Sequence, residues 1–568
     1  MSPTDAKLVF QRRLHSALWA AWADSLGFIS ELTDEAGLRR RLVVGRALVE
    51  PVEWNRRVGG KFGVTVRLPA GTYSDDTQLR LAVGRAIRPT GFDAEAFAKV
   101  ELPIWTSYAL GGGRASKAAA SHISGASVPW FGNFFKGWAE AGGNGAAMRV
   151  QPHVWAAQEP GRIGPYLLEV ISDAVITHGH PRALIGALLH AMTLGYTLDR
   201  GQVPGPDEWL NVIDELHQFP EVMRQHAELS MWCAAWERES EKSFDEAWKA
   251  TLIEVADMIP AVEEFIGIGG AAVGKRDLTA LQSAYDLLIQ KLDLRSPATR
   301  GSGTATVVAA HALACAGVQN PLQVLQMATA ALGTDTDTIA TMAAALLGSV
   351  AADEPPSRVA DRDYIAAEAL RLAAHSVGDR SQTGNFAYPD LLHWEAPRTQ
   401  AGAVGLMGDK PAVAGLGVCE NLALAGSARS FAWSWATLDF GQTILVKHRK
   451  ELERLPDAQC PMMHSEVEVR GSLLSTHSDL APDAMQQEIE LAMPATTVHE
   501  GRARPNGRQR PAGGQDLNVD AMLEWLRVQG YTDQAVGYAV RRIAELGTVE
   551  QMIAFTATLQ AEIKSRSA

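Results

Sequence analysis

The amino-acid sequence predicts an all-α principal domain, a small mixed α/β appendage and a C-terminal helical module. Three observations carry that expectation. Up to about residue 375, apolar residues recur at three- and four-residue spacing, with little of the two-residue alternation that marks half-buried strands. After about Ser376 the texture shifts to turn signals and short Gly- and Val-rich pieces. Beyond residue 516, helical stripes return.

Several segments make the helical reading specific. From Asp75 to Ile87, Leu79, Val83 and Ile87 recur every four residues, with Ala82 and Ala86 widening the stripe and Ser74 where an N-cap belongs. A helix starting at Pro181 continues through Leu184, Ile185, Leu188, Leu189 and Met192. From Thr338 to Val350, Ile339, Met342, Ala343, Leu346, Leu347 and Val350 follow the helical template closely, so this helix is expected in the core.

The appendage, 376–495, opens on the turn Tyr388-Pro389-Asp390 and holds candidate strands at Ala412 to Val418 and Thr443 to His448. Residues 496–516 include RARPNGRQRPAGG, which reads as a linker. In 517–568, stripes of Leu523, Leu526, Ile543 and Leu559 are broken by Gly530 and Gly547. About 50 residues make a marginal core alone, so this module reads either as a docking device for a protein partner or as a piece packed on the main domain.

Composition sets limits. The 568 residues carry 52 basic and 65 acidic side chains, a net charge of −13, so non-specific nucleic-acid binding is not expected. A local pocket for a nucleic-acid-linked group remains compatible with that field. The four cysteines are far apart and unpaired in sequence, and no signal-like or membrane-length apolar run is visible, so a reducing cytoplasm and no membrane are expected.

Three acidic motifs lie beside apolar stripes: Asp24-Ser25-Leu26-Gly27 with Glu31 seven residues on, Ser74-Asp75-Asp76-Thr77, and Thr334-Asp335-Thr336-Asp337-Thr338. Each reads on its own as a cap with surface acids or as a ligand set. In the third, capping accounts for one Asp and leaves the other, and Asp335, four residues before Ile339, falls on the buried side if the helix reaches back that far. Burying several carboxylates together is unfavourable without a cation, and oxygen-only donors select a hard ion, magnesium or calcium. Two Gly-rich stretches, Leu110 to Arg114 (LGGGR) and Gly142 to Gly145 (GGNG), read as turns, linkers or anion-binding loops. Trp130, Phe131, Phe134 and Phe135 precede the second and read as core or as a stacking surface.

In this order, ADSLG with Glu31, YSDDTQL, GGNGAAMR, ITHGHP and GTDTDTIATMAAALLG resemble the ADP-ribosylhydrolases over roughly residues 8 to 350. The resemblance implies an orthogonal helical bundle over 1–375 with two magnesium ions in a central cleft. It assigns Ser74, Asp75, Asp76, Asp335, Asp337 and Thr338 to the metals, and Glu31 and Asp76 to catalysis. It assigns Gly112, Gly113, Gly143, Asn144, Gly145, Met148 and His178 to an ADP-ribosylated substrate. Three positions depart from the family pattern: Ala23 for Gly, Ser74 for Thr and Thr334 for Gly. None removes a carboxylate.

The activity so implied is hydrolysis of the bond at C1 of the distal ribose, freeing ADP-ribose from a protein, a nucleic acid or a small molecule. Two other readings fit the motifs: an inactive ADP-ribose-binding protein, and a metal-dependent phosphoester hydrolase. Specificity for the leaving group is expected in Gly201 to Thr299 and beyond Ser376.

Overall fold

The computed structural model describes residues 3–42, 48–125, 128–381 and 386–462, and beyond these 519–528, 531, 535–537, 539–540, 543 and 549–567. The expected linker at 496–516, and 463–495 of the appendage, lie outside the described residues. The chain divides into two compact units, 1–464 and 465–568.

The first unit is mostly helical. Its principal helices are α1 (Pro3–Ser30), α2 (Asp75–Ala86), α3 (Arg114–Gly125), α4 (Pro165–Val175), α5 (Pro181–Arg200), α6 (Phe244–Lys275), α7 (Gly303–Gly317), α8 (Thr336–Val350) and α9 (Arg362–Ser376). Helix α8 is apolar all round, because Ala340, Ala344 and Ala345 fill the face opposite Ile339, Met342 and Leu346, and it is accordingly buried throughout. It packs against α1, α7 and α5.

Helices α1 and α8 run antiparallel and touch closely at both ends. A Cβ on Gly27 would lie 2.6 Å from Asp337 Cα, and one on Gly348 would lie 2.6 Å from the His15 carbonyl oxygen. The two glycines therefore set the spacing that brings the acidic start of α8 beside the C-terminal end of α1.

Two hairpins depart from the helical expectation, a minimal one of Ile87–Arg88 with Gly91–Phe92 and a longer one before it. Trp54–Val58 (β1) and Val64–Leu68 (β2) form an antiparallel hairpin. Alternation in Val64-Thr65-Val66-Arg67-Leu68, after the turn residues Gly59, Gly60 and Gly63, is the period-2 pattern that produces it. Val66 and Leu68 are buried while Thr65 and Arg67 face out.

Within the appendage, β3 (Val404–Met407), β4 (Lys410–Val413), β5 (Gly417–Ser427), β6 (Phe431–Leu438) and β7 (Thr443–Arg449) form an antiparallel sheet in sequence order. The sheet shares the helices' core: Val413, Ala436, Leu438 and Val446 belong to the same buried cluster as Leu79, Leu313 and Leu346. A buried polar hub also joins them. Glu101 accepts from Arg85 Nε (2.7 Å), Arg85 Nη2 (2.8 Å) and the Tyr388 hydroxyl (2.8 Å), while Arg85 Nη1 donates to Gln442 (2.7 Å) and Tyr364 (3.0 Å).

Glu101→Ala leaves the Arg85 guanidinium buried without its anion. The expected outcome is a loss of about 3–5 kcal/mol in unfolding free energy, read as a lowered urea midpoint. An unchanged midpoint would refute the structural role of the hub.

The second unit contains α10 (Val519–Val528) and α11 (Val549–Ser567), with a small cluster of Leu523, Leu526, Ala539, Ile543 and Phe555. Among the described residues, no helix is long and apolar enough to cross a membrane.

Candidate active site

The acidic motifs meet where α1, α2 and α8 converge. Helix α2 starts at Asp75 because Ser74 is extended (φ −84°, ψ −167°) and its Oγ accepts from the Asp76 amide at 3.1 Å. Asp24 holds this turn in place: Oδ1 accepts from the Ser74 amide (3.0 Å) and Oδ2 from the Thr77 amide (2.9 Å) and hydroxyl. The first motif was expected at a helix end, whereas α1 continues six residues past Asp24 to Ser30. The reason is that Leu26, Phe28 and Ile29 prolong its apolar face. Asp24 is thus a buried clamp between two elements.

Asp76 Oδ2 accepts from Ser74 Oγ (3.1 Å) and from the Thr338 hydroxyl of α8 (3.3 Å). Its Oδ1 is buried with no hydrogen-bond partner. Asp335 is the N-cap residue of α8 with non-helical angles (φ −83°, ψ 76°), so the helix does not reach back to it. Its half-buried carboxylate makes no capping bond and instead accepts from Asn144 Nδ2 at 2.9 Å. Asp337 Oδ1 accepts from the Thr338 amide at 3.0 Å. Capping therefore accounts for neither Asp335 nor Asp337. One oxygen each of Glu31, Asp335 and Asp337 lies within 4.8 Å of the others.

Burial pushes the carboxyls of Asp24, Glu31, Asp76 and Asp337 above the ordinary range; neighbouring acids add to it in Glu31, Asp76 and Asp337, while hydrogen bonds from Thr77 and Ser74 oppose it in Asp24. Asp75 rises to about 7, through burial first and then the charges of Glu31 and Asp24. Arg56 of the hairpin works in the opposite direction on Glu31, from 3.7 Å.

These groups line a cavity of about 980 Å³. Its walls include every residue assigned above to metal, catalysis or substrate except Ser74, which is buried and bonded to Asp76 beneath them. The LGGGR loop reaches it through Gly112 and Gly113, and a Cβ on Gly111 (φ +155°) would come 2.0 Å from Asp75 Oδ1. No side chain fits there. Of the four aromatic residues, Phe135 alone lines the cavity, while Trp130 packs edge-on against Phe131 and Phe134 lies against Trp138.

The GGNG loop is pinned to the turn before α7. The Asn144 amide donates to the Gly301 carbonyl (3.0 Å) and the Gly303 amide to Gly142 (2.9 Å). Not all of its amides therefore face a ligand, as the glycine pattern suggested: the one at Asn144 is committed to Gly301. His178 is buried behind the loop, its ring 3.1 Å from the position of a Cβ on Gly145. Burial, and then the nearby Arg149 charge, push it down to about 3, so it stays neutral.

Arg149 fixes this wall. It is fully buried and donates to Asp173 Oδ1 (3.0 Å), the Gly145 carbonyl (2.8 Å) and Thr177 Oγ1 (2.9 Å), whose hydroxyl meets His178 Nδ1 at 2.7 Å. Sequence reasoning missed Arg149 and Asp173 as a positioning pair. It also missed Arg56, and the cations Arg114, Lys136 and Arg300 that line the cavity. A Gly-, Ser- and Pro-rich run at 296–303 was the available signal for Arg300. Among the described residues of the segments expected to hold specificity, Pro297 alone reaches this cavity.

No curated protein matches the chain significantly. Among solved structures, a chain described as "ADP-ribosylglycohydrolase-related protein complex" is similar at 20% identity and a TM-score of 0.39, over 65% of this chain and 99% of that one. A family model described as ADP-ribosylglycohydrolase matches residues 7–380, a span that holds every residue of the acidic cavity. Well over half of the sequence lies inside that match, and the chain belongs to the ADP-ribosylglycohydrolase family.

Proposed function

We propose that the protein is a magnesium-dependent hydrolase that frees ADP-ribose from a modified target by cleaving the bond at C1 of the distal ribose. The observation that carries this reading is the convergence of Glu31, Asp75, Asp76, Asp335 and Asp337 on one cavity in a family member, with Asp76 Oδ1 buried and unpartnered. The donor set fits a hard cation. The carboxylates and the hydroxyl of Thr338 are oxygen donors throughout, and His178 is occupied by Thr177 and the GGNG loop.

Asp75, Asp76, Asp335, Asp337 and Thr338 would hold two magnesium ions, with Ser74 supporting Asp76 beneath them, and the ions would supply positive charge that offsets the crowded carboxylates and polarises oxygens of the sugar. Glu31, whose carboxyl burial holds above the ordinary range, accepts a proton from the attacking water. Asp76 and its neighbours stabilise the positive charge that develops on the ribose ring. Arg114, Lys136 and Arg300 meet the diphosphate, and Phe135 with Met148 shapes the apolar part of the cavity. Neutral His178 and Arg149 hold the GGNG wall in register. The C-terminal unit, with its own small core, is the part suited to a protein partner, and the cytoplasm is the compartment that suits four free thiols.

The test is product identification. Full-length protein is incubated with a panel carrying ADP-ribose on arginine, serine or a nucleic-acid base, with magnesium or with a chelator. Free ADP-ribose from at least one member, lost on chelation, is the expected result. Inorganic phosphate as the product, or no release across the panel, overturns the reading.

A further inference from the structure

A second cavity, of about 750 Å³, adjoins the first. Helix α3 contributes to both: Arg114, Ala115 and Ala118 face the acidic cavity, and Lys117, Ser121 and Ser124 on the neighbouring stripe face the second. The backbone at Gly111, in contact with Asp75, borders the second cavity. Its remaining walls come from the tip of the β1–β2 hairpin, the segments 103–109 and 396–403, and the sheet. The fit is tight, since a Cβ on Gly59 would lie 2.4 Å from the Trp433 ring.

The charge of this cavity is opposite to that of the first. Lys117, Arg398 and Lys447 line it, and none of its lining residues is acidic. Among the described residues, none of the three cations has a carboxylate within ion-pair distance. Lys117 feels the charge of Asp75 in the neighbouring cavity, whereas Arg398 and Lys447 face no acid among the described lining residues. Lys447 is half-buried on the edge strand β7, its ammonium 4.4 Å from the Phe431 ring centre and 5.7 Å from that of Trp433. A half-buried ammonium with only ring faces for company is incompletely satisfied, and an anion entering the cavity satisfies it.

The rest of the wall is apolar or hydroxylic. Pro103, Ile104, Trp433 and Leu445 close its floor as buried side chains with little accessible area, and the exposed Ser121 and Thr399 add hydroxyls to the wall. The volume lies in the range of small-molecule sites. The phosphate of a nucleotide supplies the anion that these cations and hydroxyls complement.

We propose that this second cavity binds the phosphate of a nucleotide, held by Lys117, Arg398 and Lys447. Such a group arrives either as a free nucleotide or as one residue of a nucleic-acid strand. The proposal stands apart from the chemistry of the acidic cavity, and it gives the appendage a task that its position beside α3 serves.

Calorimetric titration of the full-length protein tests it, with guanosine monophosphate and a short single-stranded oligonucleotide as probes and excess ADP-ribose present to fill the acidic cavity. Binding persists under excess ADP-ribose, and Arg398→Gln with Lys447→Gln raises the Kd at least tenfold. Lys117→Gln, at an exposed side chain that leaves the core untouched, weakens binding severalfold on its own. Tighter binding of the oligonucleotide identifies a strand as the source, and equal or tighter binding of the monophosphate identifies a free nucleotide. Absence of heat with both probes, displacement of the probe by ADP-ribose, or wild-type affinity in folded variants overturns the proposal.

Discussion

Asp335→Ala is expected to lower the rate of ADP-ribose release by at least a thousandfold, about 4 kcal/mol of transition-state stabilisation, while leaving the protein folded. The two halves of that expectation have separate grounds. Asp335 stands with Glu31 and Asp337 in the group that offers three carboxylate oxygens to one point, so its removal opens the cation site. It contributes little to the scaffold: the side chain is half-buried, caps nothing in α8, and takes one hydrogen bond, from Asn144. Release measured at saturating magnesium, alongside thermal melting, separates the two. Turnover within tenfold of wild type would remove Asp335 from the ligand set.

The second large effect concerns pH and the cation together. Asp24, Glu31, Asp75, Asp76 and Asp337 hold their protons to higher pH in the folded chain than in the unfolded one. Between about pH 4, where unfolded carboxyls titrate, and about 7, set by Asp75, the native state binds more protons than the unfolded state. The stability of the cation-free protein therefore falls as pH rises through that window. At about 1.4 kcal/mol per unit, the displacement of Asp75 alone amounts to something on the order of 4 kcal/mol. In chelator, the melting temperature is expected to drop by several degrees between pH 5 and pH 8. Magnesium should restore it at pH 8 and change it little at pH 5, where the acids are protonated. A flat profile in both conditions would contradict the crowded-carboxylate account.

What the sequence made legible follows from the range of the physics involved. Helix α8 was readable because its apolar residues obey one local period, and the Ser74 cap because it acts on the next turn. The β1–β2 hairpin was overlooked although Val64, Val66 and Leu68 alternate, since five residues give a weak signal inside a helical stretch. The family motifs led to the cavity walls with the single shift of Ser74 to a supporting place. The roles of Asp24, Arg56 and Arg149 were not readable, because each depends on partners far along the chain: Ser74 and Thr77 for Asp24, Glu31 for Arg56, and Asp173 with Gly145 for Arg149. The shared core of sheet and helices was equally invisible, since nothing local in Val413 or Leu438 names Leu79 as company.

The antiparallel seam between α1 and α8 has a consequence for synthesis. Gly27 and Asp337 are neighbours in space but some 300 residues apart in the chain, so a nascent polypeptide carries Glu31, Asp75 and Asp76 long before Asp335 and Asp337 emerge. Until α8 docks, those early acids lie in a half-built, water-filled niche and repel one another less than in the closed one. Completion of the acidic cluster is thereby deferred to the closing stage of folding, and a product truncated before α8 lacks Asp335 and Asp337 however well its first helices form.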